Sequence, residues 1–325
     1  MVQTFVAVSR VFAASALILT AGSTGAQQTY PGRPIRLITP FPPGSSSSTI
    51  VVRLIGQKLT ESWGQQVIVD SRPGGNAVIA GDALVKSPPD GHTVLLVTGS
   101  HAVNPLLITN LPYDTVKDFA PVATLASTGY VLVLTPSVPA NNLNEFIALA
   151  KSKPGQLNYA SSGAIQQLVS ELFNIIAGVK LQHIPYKGGA QIIPDLMSGQ
   201  VQIYFGTPSG AIPQIRSGKL KAIAITGESR LHALPQVVTF AEAGLPGYDA
   251  KNWFGILAPA GTPKAIVDKL SGELAKFLAD SGFREKLTSQ GLDPFASSPD
   301  QFAALIKADL EKYARIVKAA NIRME

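Results

Sequence analysis

The sequence predicts an α/β protein of two lobes, each a mostly parallel sheet flanked by helices, with a cleft between the lobes. The chain has 325 residues, which corresponds to about two domains of average size. Short apolar runs alternate with amphipathic segments, as in sheets built from strand–helix–strand units. Small polar turns follow several of the apolar runs, and such sheets bind ligands at the carboxyl ends of their strands.

The first lobe is predicted to begin with a β-α-β-α-β unit. Apolar strands are expected at residues 35–41, 66–70 and 92–98. An amphipathic pattern at 49–63 predicts the first helix, and the second follows a glycine-rich turn and reaches Lys86. This order favours parallel strands with helices on both faces of the sheet.

The second lobe continues the alternation, and the chain then returns to the first. Strands are expected within 122–136 and at 157–162, 181–186, 201–206 and 220–226, with helices at 142–155, 166–178 and 193–199. A strand at 253–259 and helices at 261–280 and 299–320 complete the chain. We therefore assign residues 27–126 and 251–325 to lobe 1 and residues 127–250 to lobe 2.

Residues 1–26 have the pattern of a secretory signal. Arg10 is the only charged residue, an apolar run of 11–21 follows, and small residues precede Gln27. The apolar run is much shorter than the roughly 20 residues that a membrane-spanning helix needs. We expect cleavage after Ala26, and a periplasmic protein that is not embedded in the membrane.

Composition excludes several functional classes. Charged residues make up 15% of the chain and apolar residues 46%, so a folded core is expected rather than disorder. The absence of cysteine excludes disulfides, thiolate zinc sites and a cysteine nucleophile. The net charge of +6 forms no basic stripe, which argues against nucleic-acid binding and suits an anionic small ligand. We expect no cofactor and no metal, since the histidines are dispersed at His92, His101, His183 and His232.

Two polar turns are the strongest candidate site. Residues 39–49 follow the first strand and contain four consecutive serines, and residues 158–168 repeat the arrangement in the second lobe. Hydroxyl groups and the free N–H groups of the following helix can hold a carboxylate without a cation. Two such turns facing each other could hold two ends of one ligand or grip a single carboxylate.

Signatures of catalysis are absent from the sequence. It contains no G-x-S-x-G, Walker A, G-x-G-x-x-G or H-E-x-x-H motif. His183 lies between apolar residues, where a packed and hydrogen-bonded histidine is more common than a base. A serine hydrolase that uses one of Ser45–Ser48 with a histidine is the alternative, and a ligand sensor for a signalling partner is a third possibility. We predict no enzymatic activity and no catalytic residue.

An ordered series of segments from Tyr30 to the C-terminus resembles the Bug family, the TctC-type receptors of tripartite tricarboxylate transporters. The resemblance lies in "YPGRPIRLITPFPPG", "GQQVIVDSRPGGNAVIAGDALVKSPPDGHTVLL", "NPLLITNLPYDTVKDFAPVA", "HIPYKGG", "DLMSGQVQIYF", "IRSGKLKAIAIT", "EAGLPGY" and "WFGILAPAGTP". It implies a periplasmic binding protein of the Venus-flytrap type. Such a protein captures a small carboxylate and delivers it to integral membrane permease subunits.

The resemblance also implies the ligand-binding residues. In the first lobe they are Phe41, Pro43, Gly44, Ser45, Ser46, Ser47 and Ser48, and in the second Ser161, Ser162, Gly163 and Ala164. Secondary contacts are expected from the rim residues Gly75, Asn76, Ser100, Phe205, Gly206 and Thr207.

The chain departs from the family pattern in both turns. Ser48 or Thr49 stands where the family has an aspartate, and Gln167 replaces a histidine in a second turn that is about two residues shorter. Loss of the aspartate favours a second carboxylate, so the ligand is expected to be a mono- or dicarboxylate. The apolar pair Ala164 and Ile165 indicates a bulkier ligand, such as an aromatic carboxylate.

Overall fold

The computed structural model describes residues 30–320, except Ser45, Lys187, Gly188, Glu228 and Asp249. The expected signal segment, residues 1–26, lies outside the described residues. Among the helices within those described ranges, none has both the length and the apolar content that crossing a membrane requires.

The described chain alternates strands and helices. In chain order the strands are β1 (Ile35–Thr39), β2 (Val67–Ser71), β3 (Thr93–Thr98), β4 (Phe119–Gly129), β5 (Val131–Leu134), β6 (Asn158–Ser161), β7 (Gln182–Pro185), β8 (Ile203–Gly206), β9 (Lys221–Ile225), β10 (Lys251–Pro259) and β11 (Asp293–Pro294). The helices are α1 (Ser46–Trp63), α2 (Val78–Val85), α3 (Ser100–Leu107), α4 (Leu143–Ser152), α5 (Ala164–Ala177), α6 (Gly189–Ser198), α7 (Pro208–Arg216), α8 (Lys264–Ala279), α9 (Ser281–Thr288) and α10 (Pro299–Ala320).

The strands form two sheets, with the orders β11-β4-β10-β3-β1-β2 and β7-β6-β8-β5-β9. In the first sheet β1 is parallel to β2 and β3, and in the second β6 is parallel to β7 and β8. β10 is antiparallel to β3 and β4, and β5 is antiparallel to β8 and β9. The two-lobe α/β fold is confirmed, and both sheets are mixed because β5 and β10 enter as the chain crosses between the sheets.

Helices cover both faces of the first sheet, which explains why its strands read as continuous apolar runs. Val51, Ile55 and Leu59 recur every four residues along α1 and pack with one face of the sheet. Ala80 and Leu84 of α2 pack in a second cluster with the other face. The sheet is therefore a buried platform whose strand ends are held in place for the turns that follow them.

An aromatic cluster fills much of the second lobe. The Phe173 ring of α5 lies beside those of Phe146, Phe205 and Phe240, with ring centroids 5.5–6.0 Å apart. Tyr248 lies 4.4 Å from the Phe240 ring and donates its hydroxyl hydrogen bond to the Val169 carbonyl at 2.6 Å. Aromatic pairs at these distances add to the stability that burial supplies. These aromatic contacts hold α5 against the sheet, and the first turn of α5 borders the candidate site.

The two crossings of the chain lie side by side. Tyr130 separates β4 from β5, and its N–H donates to Thr226 Oγ1 at 2.7 Å just after β9. The Thr226 N–H donates to the Tyr130 carbonyl at 2.9 Å, and Thr226 Oγ1 donates to the Ala250 carbonyl just before β10. A side-chain carbon at Gly129 would lie 2.1 Å from the Thr226 carbonyl oxygen, so only glycine fits there. The division of the lobes at residues 126 and 250 stays a prediction.

The last helix, α10, links the two lobes. Tyr313 and Ile316 belong to a buried cluster that also contains Val103 of α3 and Ala164 and Leu168 of α5. Since α3 follows a strand of the first sheet and α5 a strand of the second, this cluster is a further connection between them. Because this cluster lies beside the start of α5, α10 lies behind the wall of the candidate site.

Four elements are not among the sequence expectations, namely the helices α3, α7 and α9 and the strand β11. The helix α3, which follows β3, contains Pro105. A proline is usually read as the end of a helix, but here α3 is held by tertiary packing. The two-residue strand β11, paired with Ser127 and Ala126 of β4, is too short for a periodic pattern to reveal.

Candidate ligand-binding site

A cavity of about 470 Å³ lies between the two sheets, within the size range of small-molecule sites. Residues of both lobes form its wall. The lining residues are Phe41, Gly44, Ser47, Ser48, Thr98, Ser100, Tyr130, Ser162, Gly163, Ile165, Gln166, Gly189, Ile193, Pro194, Tyr204, Thr207, Ser209, Gly210, Asn252 and Phe254.

The turn between β1 and α1 forms one side of this cavity. Gly44 has a φ of 85°, and nothing lies within 4 Å of the place where its side chain would begin. The Phe41 carbonyl accepts a hydrogen bond from Ser71 Oγ at 2.6 Å, which holds the turn against the end of β2. Ser47 Oγ, in the first turn of α1, is hydrogen-bonded to Ser209 Oγ of α7. This bond joins the two lobes at the cavity.

The turn between β6 and α5 forms the opposite side, and the Gln166 side chain organises it. Gln166 Oε1 accepts hydrogen bonds from the Ser162 N–H at 2.8 Å and from Ser162 Oγ at 2.6 Å. Gln166 Nε2 donates to Tyr204 Oη at 3.0 Å and to the Phe205 carbonyl at 3.4 Å. Because both ends of the amide are bonded, its orientation is determined and the turn is rigid.

Several helix N-termini converge on the cavity. The first or capping turns of α1, α3, α5, α6 and α7 all contribute to the wall. The residues preceding α3, α5 and α7, which are Gly99, Gly163 and Thr207, make no side-chain capping hydrogen bond to their helices. The first N–H groups of a helix have no acceptor within it and carry a partial positive charge. Their convergence creates a positive potential that comes from backbone groups.

The described part of the wall is neutral. Among the described residues, no Lys, Arg, His, Asp or Glu side chain lines the cavity. Burial raises the pKa of the Tyr204 hydroxyl above its usual value and raises the pKa of Tyr130 much further. Both tyrosines therefore stay protonated at neutral pH. The cavity offers hydroxyl, amide and N–H donors together with the apolar side chains of Phe41, Ile165, Ile193 and Phe254.

The structure brings about half of the predicted site residues into the wall. Those that line it are Phe41, Gly44, Ser47, Ser48, Ser100, Ser162, Gly163 and Thr207. Those outside the lining set are Pro43, Gly75, Asn76, Ser161, Ala164, Phe205 and Gly206. Ser45 lies outside the described residues, and of Ser46 only the backbone, at the start of α1, is described.

Local contacts explain why the residues around the second turn miss the cavity. Ser161 is 3% exposed, and its Oγ is hydrogen-bonded to His183 Nε2 at 2.7 Å. Ala164 is buried in the cluster shared by α3, α5 and α10. Phe205 faces the aromatic cluster behind β8, because successive side chains of a strand point to opposite faces. Tyr204 therefore contributes the hydroxyl at this point of the wall.

Asn76 lies at the rim of the cavity. Its Oδ1 is 3.8 Å from the place where a side chain at Gly163 would begin, so the residue approaches the second-lobe turn across the cleft. Gly75, Asn76 and Ala77 have φ values of 55°, 52° and 76°. The Asn104 Nδ2 group donates to the Asn76 carbonyl at 2.8 Å and holds this left-handed segment in place.

The predicted residue set omits more than half of the wall, although Ile165 and Gln166 lie within the predicted turn at 158–168. The lining residues outside that set are Thr98, Tyr130, Ile165, Gln166, Gly189, Ile193, Pro194, Tyr204, Ser209, Gly210, Asn252 and Phe254. Two signals were available in the sequence, because Tyr130 and Asn252 are polar groups that stand directly before the apolar runs 131–134 and 253–259. Residues of that kind are either hydrogen-bonded in the core or exposed to a ligand.

The histidines do not lie beside the serines of the first turn. His101 is buried, its Nε2 is 2.9 Å from the Thr115 carbonyl, and burial lowers its pKa to about 4. His183 contacts Ser161, stacks on the Tyr159 ring at 5.0 Å and has a pKa lowered by burial. Neither is placed to take a proton from Ser47 or Ser48. No group of three or more potential metal ligands occurs among the described residues.

Comparisons with known proteins point to one family. Residues 51–322 match the model of the tripartite tricarboxylate transporter family receptor, TctC. The chain is similar to the structure of R. palustris Rpa4515 with adipate, at 32% identity and a TM-score of 0.86, covering 91% of this chain and all of that one. It is similar to the periplasmic binding protein BugD, at 29% identity, a TM-score of 0.83 and the same coverage. MatC of Rhodopseudomonas palustris with bound malate matches at 30% identity and a TM-score of 0.80, covering 89% of this chain and all of that one.

Proposed function

The chain belongs to the receptor family of tripartite tricarboxylate transporters, and we propose that it captures a small carboxylate in the cavity between its lobes. The bound anion would be delivered to integral membrane permease subunits. The protein would act in the periplasm after export through the signal segment at residues 1–26. Rpa4515 and MatC hold adipate and malate respectively, which supports a carboxylate as ligand of this chain as well.

The observation that carries this proposal is the convergence of helix N-termini on a cavity whose described lining residues carry no charged side chain. An anion leaving water loses hydration that must be replaced by fixed dipoles. The N–H groups at the starts of α1, α5, α6 and α7 and the hydroxyls of Ser47 and Ser48 would supply them. Such preorganised donors need no counter-ion, and they strengthen when the cleft closes and excludes water.

Lobe closure is the proposed response to the ligand. Ser47 and Ser209 join the lobes at the cavity, and the crossings at Tyr130 and Thr226 tie them at one edge. A ligand that touches both turns gains contacts only in the closed arrangement. It therefore shifts the open–closed equilibrium by the difference in its affinity for the two states. The closed form would be the one that the permease recognises.

We propose that the protein performs no bond-making or bond-breaking step. A serine hydrolase at Ser47 or Ser48 needs a base within hydrogen-bond reach. His101 and His183 are engaged with Thr115 and Ser161, away from these serines. A fluorophosphonate probe that labelled either serine would favour the hydrolase instead. Presentation of the closed form to a signalling partner would use the same site, and a sensor kinase gene beside this one would favour that role.

A thermal-shift screen of residues 27–325 tests the proposal. The ligands are aliphatic dicarboxylates of four to six carbons, citrate, amino acids and benzene carboxylates, with calorimetry on each hit. A ligand that binds the native state raises the melting temperature in a concentration-dependent manner. A shift with a carboxylate is the expected result. A shift with uncharged solutes alone would refute the anion site.

A further inference from the structure

We infer that Ser162 determines specificity by accepting a hydrogen bond from the ligand, and that the ligand is a 2-hydroxy acid. In such an acid the carbon next to the carboxyl group carries a hydroxyl group, which would be the donor to Ser162. The inference rests on the proposed function, since it takes the ligand carboxylate to be held at the helix starts.

Backbone groups at both ends of the Gln166 amide determine its orientation. Gln166 Oε1 lies 2.8 Å from the Ser162 nitrogen, and Gln166 Nε2 lies 3.4 Å from the Phe205 carbonyl oxygen. A flipped amide would bring two donors together at the first contact and two acceptors at the second. The amide oxygen is therefore the atom that faces Ser162.

The single proton of the Ser162 hydroxyl is committed to this amide. Ser162 Oγ lies 2.6 Å from Gln166 Oε1, which carries no hydrogen, so the serine is the donor in this bond. The Ser162 N–H donates to the same oxygen. The Ser162 side chain is thus left with lone pairs only, and it can accept a hydrogen bond from a ligand but cannot donate one.

The Ser162 hydroxyl oxygen adjoins open space of the cavity. Ser162 is partly exposed, and it lines the cavity together with Tyr204 and Gly189. A side-chain carbon at Gly189 would lie 3.5 Å from Tyr204 Oη and 3.9 Å from Ser162 Oγ, so glycine leaves the space beside both oxygens free. A hydroxyl oxygen has two lone pairs. The Tyr204 hydroxyl, which also contacts Ser162, can fill one of them, and the other remains for a ligand.

The position of Ser162 relates this acceptor to the ligand carboxylate. Gly163, the capping residue of α5, follows Ser162 directly and makes no side-chain capping bond. A carboxylate held at the start of α5 would therefore lie beside Ser162 Oγ. A hydroxyl group on the adjacent carbon of the ligand can donate to this oxygen. A keto oxygen at the same carbon would instead set lone pairs against lone pairs and leave both oxygens without a partner.

A hydroxyl group fits this position better than an ammonium group. Ser162 stands just before α5, and Gly189 is the first residue of α6, so the starts of two helices adjoin the position. The partial positive charge at helix N-termini opposes a cation. No Asp or Glu side chain among the described lining residues offsets that potential. A hydroxyl group donates the same hydrogen bond without carrying a charge.

Matched acids test the inference by calorimetry at pH 7.5. The three series are propionate, lactate and pyruvate; glutarate, 2-hydroxyglutarate and 2-oxoglutarate; and phenylacetate, mandelate and phenylglyoxylate, with both enantiomers of each hydroxy acid. The members of a series differ only at the carbon next to the carboxyl group. In the series that fits the cavity, we expect the hydroxy acid to bind at least tenfold more tightly than the oxo acid and at least threefold more tightly than the parent. The amino acids alanine, glutamate and phenylglycine should bind more weakly than the matching hydroxy acids.

Two variants assign that preference to Ser162. Ser162→Ala removes the acceptor, and we expect it to reduce the preference for the hydroxy acid over the oxo acid at least fivefold. Gly189→Ala keeps the Ser162 hydroxyl but places a methyl group beside it, and we expect a similar reduction. Ser170→Ala is the matched control, because Ser170 Oγ donates to the Gln166 carbonyl at 2.9 Å but lies outside the described cavity wall. That control should retain the preference.

The outcomes separate this inference from the proposed function. Circular dichroism checks that each variant is folded. Oxo or amino acids that bind at least as tightly as the hydroxy acid in every series that binds would overturn the inference alone, as would an unchanged preference in both cavity variants. Binding of a carboxylate without a hydroxyl group, while all three hydroxy acids fail to bind, would do the same. No binding of any carboxylate, with shifts only from uncharged solutes in the screen, would refute the proposed function instead.

Discussion

Replacing Gln166 by glutamate places a negative charge in the wall of the cavity while preserving its shape. A carboxylate at this position can still accept the hydrogen bonds from Ser162 N–H and Oγ, and Tyr204 Oη can donate to its second oxygen. Three donors favour the ionised form of the new side chain, so we expect it to be charged at neutral pH. The substitution therefore tests the electrostatics of the cavity more than its packing.

The expected loss of affinity follows from Coulomb's law. Gln166 lines the cavity, so a bound carboxylate would lie at about 5 Å, and two like charges at that distance repel by about 3 kcal/mol at an effective dielectric constant of ~20. This repulsion corresponds to about a 200-fold increase in the dissociation constant. Calorimetry with the tightest carboxylate from the screen measures it, and circular dichroism checks that the fold is retained.

The neighbouring residue provides the matched control. Gln167→Glu introduces the same charge in the same turn of α5, but Gln167 is partly exposed and does not line the cavity. Solvent screens its charge, so we expect less than a threefold change in the dissociation constant. If both variants bind the carboxylate within threefold of the native protein, the cavity is not the anion site. Equal large losses in both would mean that net charge, rather than the cavity, controls binding.

Three further predictions concern the cleft, the crossing and a buried histidine. Ser209→Ala removes the hydroxyl that is hydrogen-bonded to Ser47, and it should raise the dissociation constant of the carboxylate about threefold to tenfold. We expect most of this loss to come from faster ligand release, which stopped-flow kinetics measure. An unchanged release rate would show that the bond does not hold the closed form. Gly129→Ala forces a side-chain carbon against the Thr226 carbonyl oxygen. We expect the free energy of unfolding, measured by urea titration, to fall by about 2 kcal/mol or more. An unchanged urea midpoint would refute the close approach. His101 has a native pKa of about 4 against 6.5 for the unfolded chain, so only the unfolded state gains a proton as the pH falls between these values. We expect this histidine to lower the free energy of unfolding by about 3 kcal/mol between pH 7 and pH 4. In denaturant titrations, the stability of a His101→Gln variant should depend less steeply on pH. The same pH dependence in both proteins would contradict the lowered pKa of His101.

The fold was largely accessible from local patterns. Apolar runs such as 35–41 and 92–98 predicted β1 and β3, and the four-residue spacing of Val51, Ile55 and Leu59 predicted α1. These patterns are strong because burial on two faces of a sheet, or one face of a helix, constrains residue type at every position. The helices α3, α7 and α9 and the strand β11 were not predicted. Of these, α3 and β11 are stabilised by packing or pairing with elements distant in sequence.

The candidate site was accessible only in part. Position after a strand was enough to place Gly44, Ser47, Ser48, Ser162 and Gly163 at the cavity, since the ends of parallel strands meet at one edge. The same rule could not tell which hydroxyls remain available. Ser161 is bonded to His183, and the N–H and hydroxyl of Ser162 are bonded to Gln166.

The sequence by itself determined the two-lobe α/β architecture and the polar turns that face each other across the cleft. Only the tertiary structure decided that Tyr130, Tyr204 and Asn252 complete the wall, and that it contains no charged side chain among its described residues. The physical reason is that strand alternation and helix starts are local properties of the chain. The partner of a buried hydroxyl or amide, by contrast, is set by residues that lie far away in sequence, as with Asn252 and Gly99.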